Sequence, residues 1–526
     1  MPKISKVFSA ELDGIDARLI EVETDINVGL HSFNIVGLAD KALSEAKERV
    51  NSALKNLGVK APSRENRRIV VNLAPADVKK TGSQYDLAIA IGYLLATEQL
   101  KDFDASDKIF AGELSLEGKL RPINGALNIA RLVKSAGFKY LFLPKQNAKE
   151  AAIISGIEII PVNTLEELVK HLEDRSAISP QPETAVEYAL PENYPDISEI
   201  KGQEHAKRAL LIAAAGGHNL LMIGPPGTGK TMLAQAMNSI LPEPELEEVI
   251  EMTQIYSAAG LLPANSFVNY RPFRTPHQTA SPIAVFGGGQ IPRPGEISLA
   301  HRGVLFLDEA PEFRRDLLES LRQPLESGKA VITRVRGNLT FPAKFTLVAA
   351  MNPCKCGYYG DEEKKCTCSA HEVYQYQRKL SGPLMDRIDL QINVPRIAVN
   401  ELRKKVTDKN GAEETAKMKK QVIQAREVQL ARFSNFPPKV DPPSEKKKKK
   451  IFTNSELSSK EIEKFAELDP VAEKFVETAT KNQFLSPRSY YRVLKVARTI
   501  ADLAGAEKVT EGHLAEAFSY RLRNEV

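Results

Sequence analysis

The spacing of apolar residues changes character twice along the chain. Up to residue 173, short strand-like runs (RRIVVNLA, KYLFLP, IEIIPV) are mixed with helical ones (ADKALSEAKERVNSALKNLG, YDLAIAIGYLLATEQL). Between residues 196 and 395 strand and helix alternate. NLLMIG precedes a glycine loop and the helical TMLAQAMNSIL, and GVLFLDEA and KFTLVAAMNP follow as buried strands that end in polar residues. Such alternation predicts a parallel sheet whose active residues sit at the strands' carboxyl ends. From about Arg396 onward the pattern is mostly helical, as in VIQAREVQLARF and SYYRVLKVARTIADLAG. Two joints separate these regions. Residues 174–195 carry four prolines and no sustained period, which reads as a linker. Residues 436–450 combine prolines with lysines inside the last region, 396–526.

Length agrees with this division, since 526 residues correspond to about three domains. No stretch approaches the ~18 uninterrupted apolar residues of a membrane span, and no apolar segment follows the first lysines, so a cytoplasmic chain is expected. The formal charge of +5 decides little. Lys446–Lys450 is a run of five lysines that suits a solvated linker better than a nucleic-acid contact.

GPPGTGKT, residues 224–231, matches the phosphate-loop pattern in full and stands between a strand and a helix, as that motif requires. The loop comprises Gly224, Pro225, Pro226, Gly227, Thr228, Gly229, Lys230 and Thr231. Its glycines let backbone N–H groups face phosphates, and the next helix adds its positive end. Lys230 is expected at the β- and γ-phosphates of ATP and Thr231 at Mg²⁺. Asp308, at the end of VLFLDEA, completes the Mg²⁺ shell in this reading, and Glu309 polarises the attacking water. The alternative, an acidic pair that merely opens a helix, loses force beside a phosphate loop. Asn352, ending KFTLVAAMNP, can orient the water, and Arg387 and Arg488 are candidates to neutralise charge on the γ-phosphate.

All four cysteines lie in CKCGYYGDEEKKCTC, residues 354–368. Cys354, Cys356, Cys366 and Cys368 can hold Zn²⁺ tetrahedrally, stapling a loop too short to own a core. The C-x-C spacing departs from the usual C-x₂-C, and His371 stands near enough to replace one ligand. Free thiols on a polar loop and an iron–sulfur cluster remain as alternatives.

These motifs resemble the AAA+ ATPases. The run RPFRTPHQTASPIAVFGGGQIPRPGEISLAHRGVLFLDEAPEF, with LRQPLESGKAVITRV and AAMNPCKCG behind it, is similar to the magnesium-chelatase-like ComM (YifB) family over nearly the whole chain. The resemblance implies an α/β AAA+ phosphate-loop core (196–395) of the helix-2-insert, pre-sensor-1-hairpin type. It adds a Lon-protease-like α+β N-terminal domain (1–173) and a helical C-terminal lid (396–526). It also implies a homo-oligomeric, hexameric ring that hydrolyses ATP and acts on branched or forked DNA as a branch-migration helicase in recombination and natural transformation. Asn352 would be sensor 1, Arg387 an arginine finger in trans and Arg488 the sensor 2 arginine. The adenine end would pack near Ile197 and Ile200. The hairpin GKAVITRVRGNLTFPAKF, with Arg334 and Arg336 near its turn, and the loop Phe286–Gln290 (FGGGQ) are the DNA-contact candidates. The bland reading of the hairpin is a solvated one with ordinary surface arginines.

Two other functions compete. A remodeller akin to the chelatase ATPase subunit would act on a partner protein. A Lon-type protease would need a serine and a lysine, but Gln84 falls at the nucleophile position, with Ser83 one place early, and Leu127 stands where the lysine should be.

Overall fold

The computed structural model describes residues 4–37, 41–64, 66–78, 80, 82–188, 194–263, 267–289, 292–334, 337–397, 408–434, 451–483 and 486–521. The N-terminal region is a mixed seven-stranded sheet. Its order is Ser32–Val36, Arg67–Ala74, Asp16–Val28, Ser5–Asp13, Lys108–Phe110, Tyr140–Pro144 and Glu158–Val162. Arg67–Ala74 buries every second residue from Ile69 onward, as a sheet with one covered face requires. The strands RRIVVNLA, KYLFLP and IEIIPV therefore form where their patterns predict. The helix Asp86–Ala96 is apolar all round and is buried along its whole length up to Leu95. Residues 176–188 form neither helix nor strand, yet they lie against this sheet: Gln181 N donates to Ile159 O (2.8 Å) and Thr184 N to Ala152 O (3.0 Å).

The central sheet has five strands in the order Phe273–Arg274, Val304–Leu307, Thr346–Met351, Leu220–Ile223 and Leu390–Asn393, all parallel. Register places Ile223 beside Met351 and Leu307 beside Ala349. The residues that follow these three strands, Gly224, Asp308 and Asn352, consequently emerge along one edge, as the alternation predicts. The hairpin forms from Lys329–Arg334 and Gly337–Pro342, antiparallel and in full register.

The C-terminal region is helical: Asp408–Ser434, Ser459–Phe465, Pro470–Gln483, Pro487–Leu503 and Glu511–Ser519. Ser486 caps the fourth helix by accepting from Ser489 N, and Pro487 occupies its first turn, where a missing N–H is harmless. Val422, Ala425, Val493 and Ala497 share one hydrophobic cluster with Leu210 and Ala213 of the helix Glu204–Gly216, so this region packs on the central one. The proline and lysine stretch 436–450 lies outside the described residues.

The N-terminal region meets the central one through both apolar and polar groups, with Phe267 and Ile250 packed in a cluster of N-terminal residues. Helix Ala126–Ser135 faces helix Leu246–Ala259, where Asn128 Nδ2 donates to Gln254 O (3.3 Å) and Arg131 Nη1 to Gln254 Oε1 (2.6 Å). Ser257 donates its hydroxyl to Glu150. No described helix is long and apolar enough to cross a membrane.

Candidate nucleotide site

The phosphate loop is shaped by residues able to adopt its backbone. Gly227 and Gly229 take φ of +77° and +85°, a region that disfavours side chains. At Gly224 a Cβ would stand 2.2 Å from Val394 O, so only glycine lets these two segments approach this closely. Lys230 opens the helix Lys230–Ile240 and folds back over the loop. Its Nζ donates to Gly224 O (2.7 Å), Pro225 O (2.8 Å) and Asn352 Oδ1 (3.3 Å). Burial lowers the Lys230 pKa, while Asp308 and Glu309 act in the opposite direction.

Thr231 Oγ1 donates to Asp308 Oδ2 (2.8 Å), and the second Asp308 oxygen accepts from Glu309 N (3.0 Å). A hydroxyl and a carboxylate this close, at the exposed mouth of the loop, suit a hydrated divalent cation such as Mg²⁺. Glu309 takes φ of +49°, an unusual conformation for a side-chain-bearing residue that costs about 1–2 kcal/mol, and its side chain is exposed. The turn places Glu309 directly after the Asp308 strand, where its charge acts on Lys230.

Arg387 and Arg488 are brought together, but with each other. Arg387 is 4% exposed; its Nη2 pairs with Glu326 Oε2 (2.7 Å), its Nε donates to Arg322 O (3.1 Å) and its Nη1 to Pro383 O. Arg488 pairs with the other oxygen of the same carboxylate. One turn further along that helix, Arg492 Nη1 donates to Asp389 Oδ1 (2.5 Å) and Arg387 O (3.0 Å), fixing the segment that carries Arg387. None of these partners belongs to the phosphate loop. Glu326 and Arg492 escaped the sequence reading. Glu326 lies in the quoted LRQPLESGK run, but only tertiary contact reveals its pairing.

Other sequence expectations meet the structure differently. Ile197 is fully buried and Ile200 is 7% exposed, both inside the cluster that holds Met237 and Leu210. The Arg334 side chain and all of Arg336 lie outside the described residues, as does Gln290 of FGGGQ. The rest of FGGGQ turns back on itself, with Gly287 opposite Pro294 and Gly288 opposite Arg293. A Cβ at Gly287 would lie 3.2 Å from Ile332 Cδ1, so this loop rests against the hairpin. Gln84 Nε2 donates to Glu11 Oε2 (2.7 Å), Ser83 donates to Glu113, and Leu127 is fully buried in an apolar cluster.

The four cysteines converge. Their sulfurs all lie within 4.8 Å of one another, with Cys354–Cys356 at 3.3 Å, Cys356–Cys366 at 3.5 Å and Cys354–Cys366 at 3.7 Å. A tetrahedral ion with ~2.3 Å metal–sulfur bonds needs sulfur spacings of about 3.8 Å, so the group could hold one metal. Backbone N–H groups of Thr367 and Tyr358 hold the Cys356 thiol down to about 5. Among the described residues His371 is not part of the group.

Comparison with known proteins matches this geometry to a class. Residues 196–402 match the family of magnesium chelatase, subunit ChlI, residues 22–147 match subunit ChlI of Mg-chelatase, and residues 412–521 match the C-terminal family of that subunit. The class is thus magnesium-chelatase-like, with all three regions of the chain represented. The chain is 42% identical to competence protein ComM of Haemophilus influenzae over 522 residues, covering 98% of this chain and 97% of that protein. It is also 42% identical to YifB of Escherichia coli over 509 residues, covering 97% and 95%. The chain belongs to the ComM/YifB family. A shorter similarity, 43% over 68 residues, links 13% of it to 11% of an archaeal Lon protease from Archaeoglobus fulgidus.

Proposed function

We propose that this protein is an ATP-driven motor that works on DNA as a ring, a hexamer, and moves branch points during recombination and transformation. The observation that carries the reading is the meeting of Lys230, Thr231, Asp308 and Asn352 at one sheet edge, held by hydrogen bonds of 2.7–3.3 Å. Mg²⁺ there would neutralise phosphate charge. Thr231 and Asp308 would hold it, Lys230 would offer its ammonium to phosphate oxygens, and Glu309 and Asn352 would orient the attacking water. Arg387 and Arg488 share the Glu326 carboxylate and neither has a partner in the phosphate loop; Arg387 would serve as an arginine finger at a neighbouring subunit's nucleotide and Arg488 as the sensor 2 arginine. Similarity to a protein named for competence supports DNA as the substrate.

The other elements take supporting parts. The seven-stranded region acts as a Lon-like domain without a serine–lysine pair: Gln84, Ser83 and Leu127 are all engaged elsewhere. The C-terminal helices act as a lid, and the four cysteines hold structural Zn²⁺. A second reading, a remodeller of a partner protein, draws on the matches to chelatase subunit families. ATP hydrolysis measured with and without branched, forked and single-stranded DNA separates the two. The motor reading expects stimulation of about tenfold or more by at least one DNA form. Hydrolysis indifferent to every DNA supports the remodeller instead.

A further inference from the structure

The cysteine stretch does more than follow the central sheet; it leans on the nucleotide site. Cys354 stands two residues beyond Asn352, and Gln377 Nε2 donates to Pro353 O between them (3.1 Å). Between the cysteine pairs, Gly357 is buried with φ of +89°. A Cβ there would lie 2.7 Å from Pro226 Cδ and 4.0 Å from Asn352 Cγ. The backbone of the stretch therefore rests directly on the phosphate loop.

A second contact reaches the exit of the sheet. Asp361 has a side chain shielded from solvent and accepts from Arg396 Nε (2.7 Å) and from the N–H groups of Glu363 (2.8 Å) and Lys364 (3.0 Å). Arg396 also lies over the Tyr358 ring, 5.8 Å from its centroid. It comes three residues after the strand Leu390–Asn393, on the segment that leaves for the C-terminal helices. Val394, on that same segment, is the residue Gly224 approaches so closely. The stretch thus touches the phosphate loop, the Asn352 strand and the outgoing segment. It has no apolar core of its own: of the residues between the cysteine pairs, Tyr359, Gly360, Glu362, Glu363, Lys364 and Lys365 are exposed.

We infer that a metal ion held by Cys354, Cys356, Cys366 and Cys368 braces the nucleotide site, so that metal occupancy and nucleotide affinity are linked. This rests on the zinc reading above and extends it. With the metal in place, Gly357 and Asp361 hold Pro226, Asn352 and Arg396 in one arrangement. Without it, only weak sulfur hydrogen bonds hold the four crowded thiols together, and the contacts on Pro226 and Arg396 loosen. Linkage is reciprocal: nucleotide retains the metal by the same factor by which the metal tightens nucleotide.

The test uses the full-length protein. Zinc content is measured by elemental analysis, and affinity for a fluorescent ATP analogue is measured before chelation, after chelation with the chelator removed and Mg²⁺ restored, and after Zn²⁺ is returned. Cys356→Ser removes one ligand, and Gly357→Ala keeps all four thiols while pressing on Pro226. The expected result is one zinc per chain and a loss of affinity of about tenfold on stripping, within the usual range for coupled sites, restored by Zn²⁺. Gly357→Ala should retain zinc and bind nucleotide more weakly. Bound nucleotide should slow zinc release to a chelator. One zinc per chain with affinity unchanged within twofold on stripping, and also in Gly357→Ala, overturns the brace and leaves the zinc reading standing. A chain that binds no metal overturns both. If Cys356→Ser does not fold, stripping and restoring the native chain still decides the matter.

Discussion

Lys230 gives its ammonium to three oxygens, two of them main-chain carbonyls, and among the described residues pairs with no carboxylate at hydrogen-bond distance. A charge held this way can be transferred to phosphate without first breaking a salt bridge, which suits a group that must engage and release at every turnover. Glu150 is the opposite case. Burial pushes its carboxyl up to about 7, against hydrogen bonds from Ser257, the Leu127 N–H and Asn147. A carboxyl raised above its ordinary value holds a proton in the folded chain that the unfolded chain has released. Its contribution to stability is therefore present below its unfolded pKa and falls as pH rises through 7. A shift of this size corresponds to about 3 kcal/mol across that window. Thermal unfolding of Glu150→Gln compared with the native chain at pH 5 and pH 8 should show a smaller loss on the alkaline side. Equal losses in both proteins would remove Glu150 from the account.

Elements differed in how plainly the sequence announced them. VLFL and TLVAAM are apolar runs that end abruptly in Asp308 and Asn352, and a strand that must be buried on both faces leaves that mark. The phosphate loop is legible for a similar reason, because its glycine spacing is a local backbone requirement. The shared carboxylate of Glu326 is not local: it joins Arg387, 61 positions on, to Arg488, 162 positions on, by the numbering, and no periodicity records that. The packed state of Ile197 and Ile200 was equally hidden, since an apolar residue beside a phosphate loop serves core and ligand with the same chemistry. The pairing carries a prediction about assembly. Lys230→Ala and Arg387→Ala, each inactive alone, should regain part of their ATPase when mixed, because a site formed between subunits needs one of each. Mixtures no more active than the separate variants would place Arg387 in its own subunit's chemistry or in structure alone. For the hairpin, replacing Arg334 and Arg336 together by alanine should cut DNA-stimulated hydrolysis severalfold and leave basal hydrolysis unchanged. Equal loss of both would assign them to the fold.

At the scale of the molecule, the hairpin connects the regions. Ile15, at the turn of the first N-terminal hairpin, packs in the cluster that contains Leu339 and Phe341, and Ile332, the cross-strand partner of Leu339 in that cluster, meets the Gly287 turn. The N-terminal region, the insert loop and the hairpin are thereby in contact on the central sheet that carries the nucleotide site. A change at that sheet's edge has a packed route to both elements proposed to meet DNA, which is what a motor needs and a static binding module does not. Glu309 is where the account is most exposed. The most direct measurement incubates a four-way junction with the protein and ATP, beside Glu309→Gln and a reaction without nucleotide, and follows the strand products. The account predicts that junctions are resolved into duplex products only by the native chain with ATP, while Glu309→Gln binds nucleotide and migrates nothing. Junction processing that persists without ATP or in Glu309→Gln, or a native chain that hydrolyses ATP and leaves every junction intact, would contradict it.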